Sequence, residues 1–206
     1  MGKFNSLRDK VVVIAGGAKN LGGLLSTTYA KDGAKLVIHY HDEKSLDDAK
    51  ATLSKVEELG GEGTLFSGDL TKVSNVQALF QHAEETFGKV DIAINTVGKV
   101  LKKPISETTE EEFDSMADIN AKSAYFFIKY AEKSMNDNGK IITLATALLA
   151  AYTGFYSTYA GGKAPVEHYT RAASSEFMDR GISVNAVAPG PMDTPFFYPQ
   201  EGEDAV

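Results

Sequence analysis

Tyr159 and Lys163 stand four residues apart in the stretch Tyr159-Ala-Gly-Gly-Lys163. On a helix that spacing stacks a phenol and an ammonium on one face, one turn apart. A free phenol titrates near pH ~10 and is a poor base at neutral pH. A positive charge held beside it favours the phenolate and lowers that value, so the pair can be tuned to give or take a proton near neutrality. Tyr-x-x-x-Lys is also common on ordinary surface helices. Its chemical meaning depends on what the preceding elements bring to the same place.

The run Val11-Val12-Val13-Ile14-Ala15 is short, continuous and rich in β-branched residues, which suits a strand buried on both faces. A glycine-rich turn, Gly16 to Gly23, leads from it into residues whose apolar spacing is helical, Leu24 to Asp32. Backbone N–H groups in such a turn, at the positive end of a helix dipole, favour a pyrophosphate. The spacing is G-x-x-x-N-x-G rather than G-x-G-x-x-G, and a plain tight turn accounts for it equally well.

Lys35 to Tyr40 reads as a second strand, followed by a polar helix from about Glu43 to Leu59 and the turn Gly60-Gly61. Together these predict a right-handed parallel βαβ unit. In NAD-binding units an acidic residue near the end of this strand takes the ribose 2′-OH. Here the end reads His39-Tyr40-His41-Asp42, with Tyr40 in the acid's place. Lys19 in the glycine turn, with His39 or His41, offers positive charge to a 2′-phosphate and favours NADP(H), while Asp42 keeps NAD(H) open.

Thr64 to Gly68 predicts a third strand, with Asp69 and Leu70 beyond its carboxyl end, within reach of an adenine. Asp69 can equally cap the helix expected from Val73 to Phe87. A fourth strand, Val90 to Ile94, runs into Asn95-Thr96-Val97-Gly98. Thr109-Glu110-Glu111-Glu112 opens a long helix with carboxylates in its first turn, as the dipole prefers. Asn120 lies inside that helix, an unfavourable choice for asparagine unless it has a specific partner. Lys140 to Ala145 predicts a fifth strand, with Thr146 at its end. The apolar, aromatic segment that follows, up to Ser157, suits the lining of a substrate pocket, a buried loop or a subunit contact. A helix from Ser157 to Arg180 contains Pro165 and is expected to bend. A sixth strand, Ile182 to Val187, precedes the irregular turn Pro189 to Pro195.

Six strands alternating with helices predict an α/β fold, a doubly wound parallel sheet of the Rossmann type with helices on both faces. Ligands bind such sheets outside the carboxyl ends of the strands, where the glycine turn, Tyr40, Asp69, Asn95, Thr146 and Pro189 all fall. With 206 residues, 43% of them hydrophobic, the chain reads as one domain over 1–206. Asp and Glu outnumber Lys and Arg by 28 to 21 without a basic cluster, which argues against a nucleic-acid or anionic-membrane partner. The absence of cysteine excludes disulfides and thiolate metal sites, and no metal site is expected. The polar N-terminus, followed by only a short apolar run, reads as neither a signal peptide nor a span, so a cytoplasmic location is the expectation.

In the order and spacing of these motifs the chain resembles the short-chain dehydrogenases/reductases from Asp9 to Thr194. The resemblance rests on the glycine turn, Asp69-Leu70, Asn95 to Gly98, Asn120, Thr146 thirteen residues before Tyr159, Lys163, and Pro189-Gly190 followed by Thr194. It implies hydride transfer between a nicotinamide, NADP(H) in preference to NAD(H), and a carbonyl or alcohol carbon of a small substrate. Tyr159 would be the acid or base and Lys163 would lower its pKa. Thr146 would polarise the carbonyl, and Asn120 would hold a water in the proton relay. Gly16, Asn20, Leu21 and Gly22 would embrace the pyrophosphate, and Asp69 and Leu70 the adenine. Asn95, Val97 and Gly98 would lie along the adenosine side, and Pro189, Gly190 and Thr194 at the nicotinamide amide. A homo-oligomer is expected by the same analogy. An NAD(H)-linked alcohol dehydrogenase and a catalytically idle nucleotide-binding module are the alternatives.

Three departures stand out. Threonine replaces the usual serine at 146, Asn95-Thr96-Val97-Gly98 replaces Asn-Asn-Ala-Gly, and Asn20 replaces a glycine at a position where asparagine tolerates a left-handed backbone. Family members also continue beyond Thr194 through a substrate-covering helix and a seventh strand, where this chain has only Pro195 to Val206. A truncated, processed or partly disordered protein is one expectation that follows.

Overall fold

The computed structural model describes residues 7–196 and residue 198. The N-terminal stretch read above as neither signal peptide nor span falls largely on residues 1–6, outside the described residues, as does most of the tail after Thr194.

Among the described residues, six strands form one sheet: β1 (Val11–Ala15), β2 (Lys35–Tyr40), β3 (Glu62–Ser67), β4 (Val90–Asn95), β5 (Met135–Leu144) and β6 (Ser183–Val187). Their order is β3-β2-β1-β4-β5-β6, and neighbours pair in parallel. All five residues of β1 are buried, as its continuous apolar run requires of a central strand. The chain winds outward from β1 through β2 to β3, then returns to lay β4 on the other side of β1. A crevice must open at the carboxyl ends where the winding reverses.

Six α-helices among the described residues connect and cover the strands: α1 (Asn20–Lys31), α2 (Leu46–Glu58), α3 (Val73–Phe87), α4 (Glu110–Ala117), α5 (Ser123–Ser134) and α6 (Ser157–Glu176). Alternate β1 residues feed two cores. Val12 and Ile14 pack with Ala30 of α1 and Val56 of α2, while Val11 and Val13 pack with Phe80 of α3 and Phe127 of α5. Period-two alternation of side chains across the sheet produces this division.

Helix α1 starts at Asn20, earlier than the predicted Leu24, and takes Gly22 and Gly23 into its first turns. Glycine is a poor helix former. Packing overrides that preference here, because a Cβ on Gly22 would collide with the Gly16 carbonyl. The predicted long helix after Thr109 is divided by a π turn, Asp118–Lys122, between α4 and α5. Thr109 caps α4 in a reciprocal box with Glu112. Pro165 leaves α6 a continuous helix of 20 residues, and the stretch to Arg180 ends in a 3₁₀ turn, Met178–Arg180.

The fifth strand begins earlier than expected. Met135 pairs with Val90 and Lys140 with Ile92, so Asn136 to Gly139 bulge out of the ladder, with Asn138 in a left-handed conformation at φ 65°. Arg180 clamps this bulge, donating to the Met135 carbonyl at 2.6 Å, the Glu132 carbonyl at 2.7 Å and Asp137 Oδ1 at 2.9 Å.

Candidate active site

Tyr159 and Lys163 both lie on α6, as their spacing predicts, where it passes the carboxyl end of β5. Lys163 is only 4% exposed. Its Nζ donates to the Leu144 carbonyl at 2.9 Å and the Val97 carbonyl at 3.3 Å, which ties α6 to the ends of β5 and β4. Burial pushes its pKa down to about 8. Burial pushes the Tyr159 phenol up, and a hydrogen bond from the Thr146 hydroxyl works in the opposite direction. In this arrangement the Lys163 ammonium is directed at two backbone carbonyls, and the Thr146 hydrogen bond is the contact that favours the phenolate. Thr146, itself buried, leads the short helical turn Ala147–Ala150 and accepts from Leu148 N at 3.3 Å.

Asn120 has the specific partner that a mid-helix asparagine needs. It sits in the π turn with no exposed surface. Its Oδ1 accepts from Lys99 N at 3.1 Å, and its Nδ2 donates to the Lys99 carbonyl at 3.0 Å and the Met116 carbonyl at 3.1 Å. A Cβ on Gly98 would come within 2.9 Å of Asn120 Oδ1 and 3.0 Å of Lys163 Nζ. Gly98 thus lets the strand end, the asparagine and the lysine meet.

Two adjoining clefts open along the carboxyl edge. One, of about 800 Å³, is bounded by Thr146, Leu148, Phe155, Tyr159, Lys163 and Met192 and is mainly apolar. Phe155 on its rim has φ 69°, and its carbonyl accepts from Lys103 N at 2.7 Å. Lys103 Nζ in turn meets both Glu112 oxygens at 2.9 and 2.8 Å. The second cleft, of about 520 Å³, runs past Gly16, Lys19, Tyr40, His41, Asp69 and Leu70. Asn20, Thr96 and Gly98 border both.

Between them lies the start of α1. Its leading residue Lys19 makes no side-chain cap, and no acidic residue sits in the first turn. The opening N–H groups of a helix have no partner within it, so this end suits an anion such as a pyrophosphate. Gly16 has φ 74° and a Cβ there would come within 2.7 Å of Thr96 Oγ1. Asn20 adopts φ 51°, the left-handed backbone its type tolerates. No group of three or more metal-ligating side chains occurs among the described residues, and no described helix is long and apolar enough to cross a membrane.

A family model described as Enoyl-(Acyl carrier protein) reductase matches residues 16–206. The chain belongs to the short-chain dehydrogenase/reductase family. A putative dehydrogenase from Burkholderia cenocepacia, solved with bound NADP, is 57% identical, with a TM-score of 0.94 over 97% of this chain and 76% of its own. A short-chain dehydrogenase from Oenococcus oeni is 60% identical, with a TM-score of 0.80 over 97% of this chain and 83% of its own. Hydroxynaphthalene reductase-like protein Arp2 of Metarhizium brunneum is 32% identical over 194 residues, 93% of this chain and 72% of that protein.

Within this short-chain dehydrogenase/reductase, Gly16, Lys19, Asn20, Tyr40, His41, Asp69, Leu70, Val97 and Gly98 line the smaller cleft. Leu21, Gly22, Pro189, Gly190 and Thr194 line the larger one. Asn95 is buried and its Oδ1 accepts from Val97 N at 3.0 Å, holding the turn after β4. Asp69 Oδ1 accepts from Thr71 N at 2.9 Å and Thr71 Oγ1 at 2.8 Å, while Lys72 occupies the cap position of α3. Asp69 therefore orders the approach to that helix instead of capping it.

Two charges differ from expectation. Lys19 is paired with Asp48 at 2.9 Å. His39, read as a cation for a 2′-phosphate, is corrected: its ring is 2% exposed, and burial pushes its pKa down to about 4, so at neutral pH it carries no charge. Asp42 is engaged as a cap, accepting from Lys44 N at 3.1 Å. Sequence reasoning missed Thr96, whose Oγ1 donates to the Ala15 carbonyl at 2.7 Å and joins β4 to β1. It also missed Lys103, which no pattern distinguishes from its lysine neighbour.

Proposed function

We propose that this chain is an NADP(H)-dependent oxidoreductase that interconverts a carbonyl and an alcohol on a small, hydrophobic substrate. The observation that carries the reading is the convergence of Tyr159, Thr146 and the buried Lys163 beside an apolar cleft, adjoining a helix start fit for a pyrophosphate. NADP(H), when bound, supplies or accepts the hydride.

Gly16, Asn20, Leu21 and Gly22 offer the pyrophosphate its seat, and Asp69 and Leu70 border the place of the adenine. The 57%-identical Burkholderia protein carries NADP, which supports the phosphorylated cofactor. On this chain Lys19 and His41 are the basic groups offered to such a 2′-phosphate, with Tyr40 lining the same cleft. Pro189, Gly190 and Thr194 border the nicotinamide end, and Leu148, Phe155 and Met192 surround the apolar part of the substrate.

Tyr159 gives its proton to the carbonyl oxygen in reduction and takes it back in oxidation. Its raised pKa keeps the phenol protonated at neutral pH, which suits the acid. Thr146 orients the same oxygen and stabilises the tyrosinate left behind. Lys163 directs two of its three N–H donors to Leu144 and Val97, which leaves the third for the site. Asn120 holds the Lys99 backbone and so one wall of the proton path. Self-association belongs to the same reading, supported by Phe113 on α4 and Tyr125 on α5, which are large and exposed.

Tyr159→Phe tests the reading. Turnover of small ketones is expected to fall by roughly 10²-fold or more, while NADPH affinity in a fluorescence titration stays nearly intact. Loss of affinity together with turnover would refute the assignment of Tyr159 to proton transfer.

A further inference from the structure

His39 is a buried titratable group that proton transfer does not use and that lines the smaller cleft with almost no exposed surface. Its Nδ1 accepts from Gly16 N at 3.0 Å, and its Nε2 lies 2.7 Å from the Gly68 carbonyl. A carbonyl only accepts and an N–H only donates, so the two partners fix one state of the ring. It is neutral, with the proton on Nε2 and the lone pair of Nδ1 turned to Gly16. Protonation would set an N–H against the Gly16 N–H.

Gly16 opens the cofactor turn after β1, and Gly68 follows the end of β3. Those two strands are not neighbours in the sheet, since β2 lies between them. The imidazole at the end of β2 therefore spans three consecutive strand ends. The ring also packs against Phe66, with centroids 6.4 Å apart, and Phe66 packs on His82 at 5.6 Å. His41 and Asp69 act on the ring in opposite directions, and burial dominates in keeping it neutral.

We infer that His39 is a positioning residue: a neutral, single-tautomer bridge that locks the glycine turn to the end of β3 and so sets the spacing between the pyrophosphate seat and the adenosine cleft. It does not read the 2′-phosphate. This rests on the cofactor-binding reading above, and it makes a different demand. A side chain that recognises the phosphate discriminates NADPH from NADH, whereas one that sets the seat acts on both alike.

The experiment compares dissociation constants for NADPH and NADH in the unsubstituted protein, in His39→Leu and in His39→Asn. The leucine variant removes both hydrogen bonds, and the His39→Asn variant retains an acceptor near the position of Nδ1. His39→Leu is expected to weaken both cofactors by the same factor, roughly thirtyfold for two lost buried hydrogen bonds, with the NADPH/NADH ratio unchanged. His39→Asn is expected to recover part of that loss for both. Selective loss of NADPH would overturn the inference, and so would unchanged affinity for both in a folded His39→Leu protein. If the leucine variant does not fold, the equal, intermediate loss expected of His39→Asn decides, read the same way. Long-range ¹H–¹⁵N spectra of histidine-labelled protein supply the independent check. They should show the Nε2–H tautomer at neutral pH, and a protonated ring or the Nδ1–H tautomer would overturn the bridge. Failure of the unsubstituted protein to bind either cofactor would count against the proposed function and leave the tautomer result standing.

Discussion

Replacing Lys163 by Met should flatten a pH dependence of stability that the native chain carries. The ammonium is buried at the meeting of α6, β4 and β5, and its pKa falls from 10.5 to about 8. Between those values the unfolded chain binds more protons than the folded one, so stability rises with pH across the window. Below the folded value both states are protonated and the full cost of burying the charge applies. That lowering of the pKa corresponds to about 3 kcal/mol, of which about 2 kcal/mol should be recovered between pH ~7 and pH ~9.5. Urea unfolding across that range gives the quantity directly, as the difference between native and Lys163→Met free energies. The raised phenols of Tyr29 and Tyr159 act in the opposite sense, since stability they confer is lost as pH climbs past the ordinary value near 10, and they are present in both proteins. Parallel profiles for the two proteins would refute the reasoning, because they would mean that Lys163 titrates as an exposed lysine does.

Two further substitutions separate other effects. A Cβ on Gly161 meets nothing within 4 Å, so Gly161→Ala should stabilise α6 by roughly 1 kcal/mol and raise the melting temperature by about 2–4 °C; an unchanged or lower value would show that α6 needs glycine there. Thr146→Ala removes the donor that favours the Tyr159 phenolate, so turnover should drop and the alkaline limb of the pH–rate profile should move upward, while Thr146→Ser should restore both. An unshifted limb in the alanine variant would separate Thr146 from the phenol.

Much of the fold follows from short-range patterns. The continuous apolar run of β1, the strand read over Lys35 to Tyr40 and the helix expected from Val73 to Phe87 have the bounds their residues suggest. The failures arise where a residue answers to a distant part of the chain. Gly22 and Gly23 lower helix propensity locally, yet α1 includes them because the Gly16 carbonyl leaves no room for a Cβ at 22. The bulge within β5 depends on Arg180, more than forty residues on, whose reach no periodicity encodes. Asn120 is the opposite case: an ill-suited residue inside a helix signals a partner, and the Lys99 backbone is that partner. His39 misleads for a physical reason. A histidine near the end of a strand offers a cation in sequence, but alternation turns this one inward, where burial removes the charge.

The Arg180 clamp has a practical consequence. It gathers Glu132, Met135 and Asp137 where β5 begins, at the opposite edge of the sheet from Thr146. What stiffens the sheet there is separated by the length of β5 from the groups assigned to chemistry. A reporter, a tether or a surface anchor joined near exposed Asn136 would strain the clamp first and leave the clefts clear. The same attachment at Tyr152, fully exposed beside the larger cleft, would crowd the mouth through which a substrate passes.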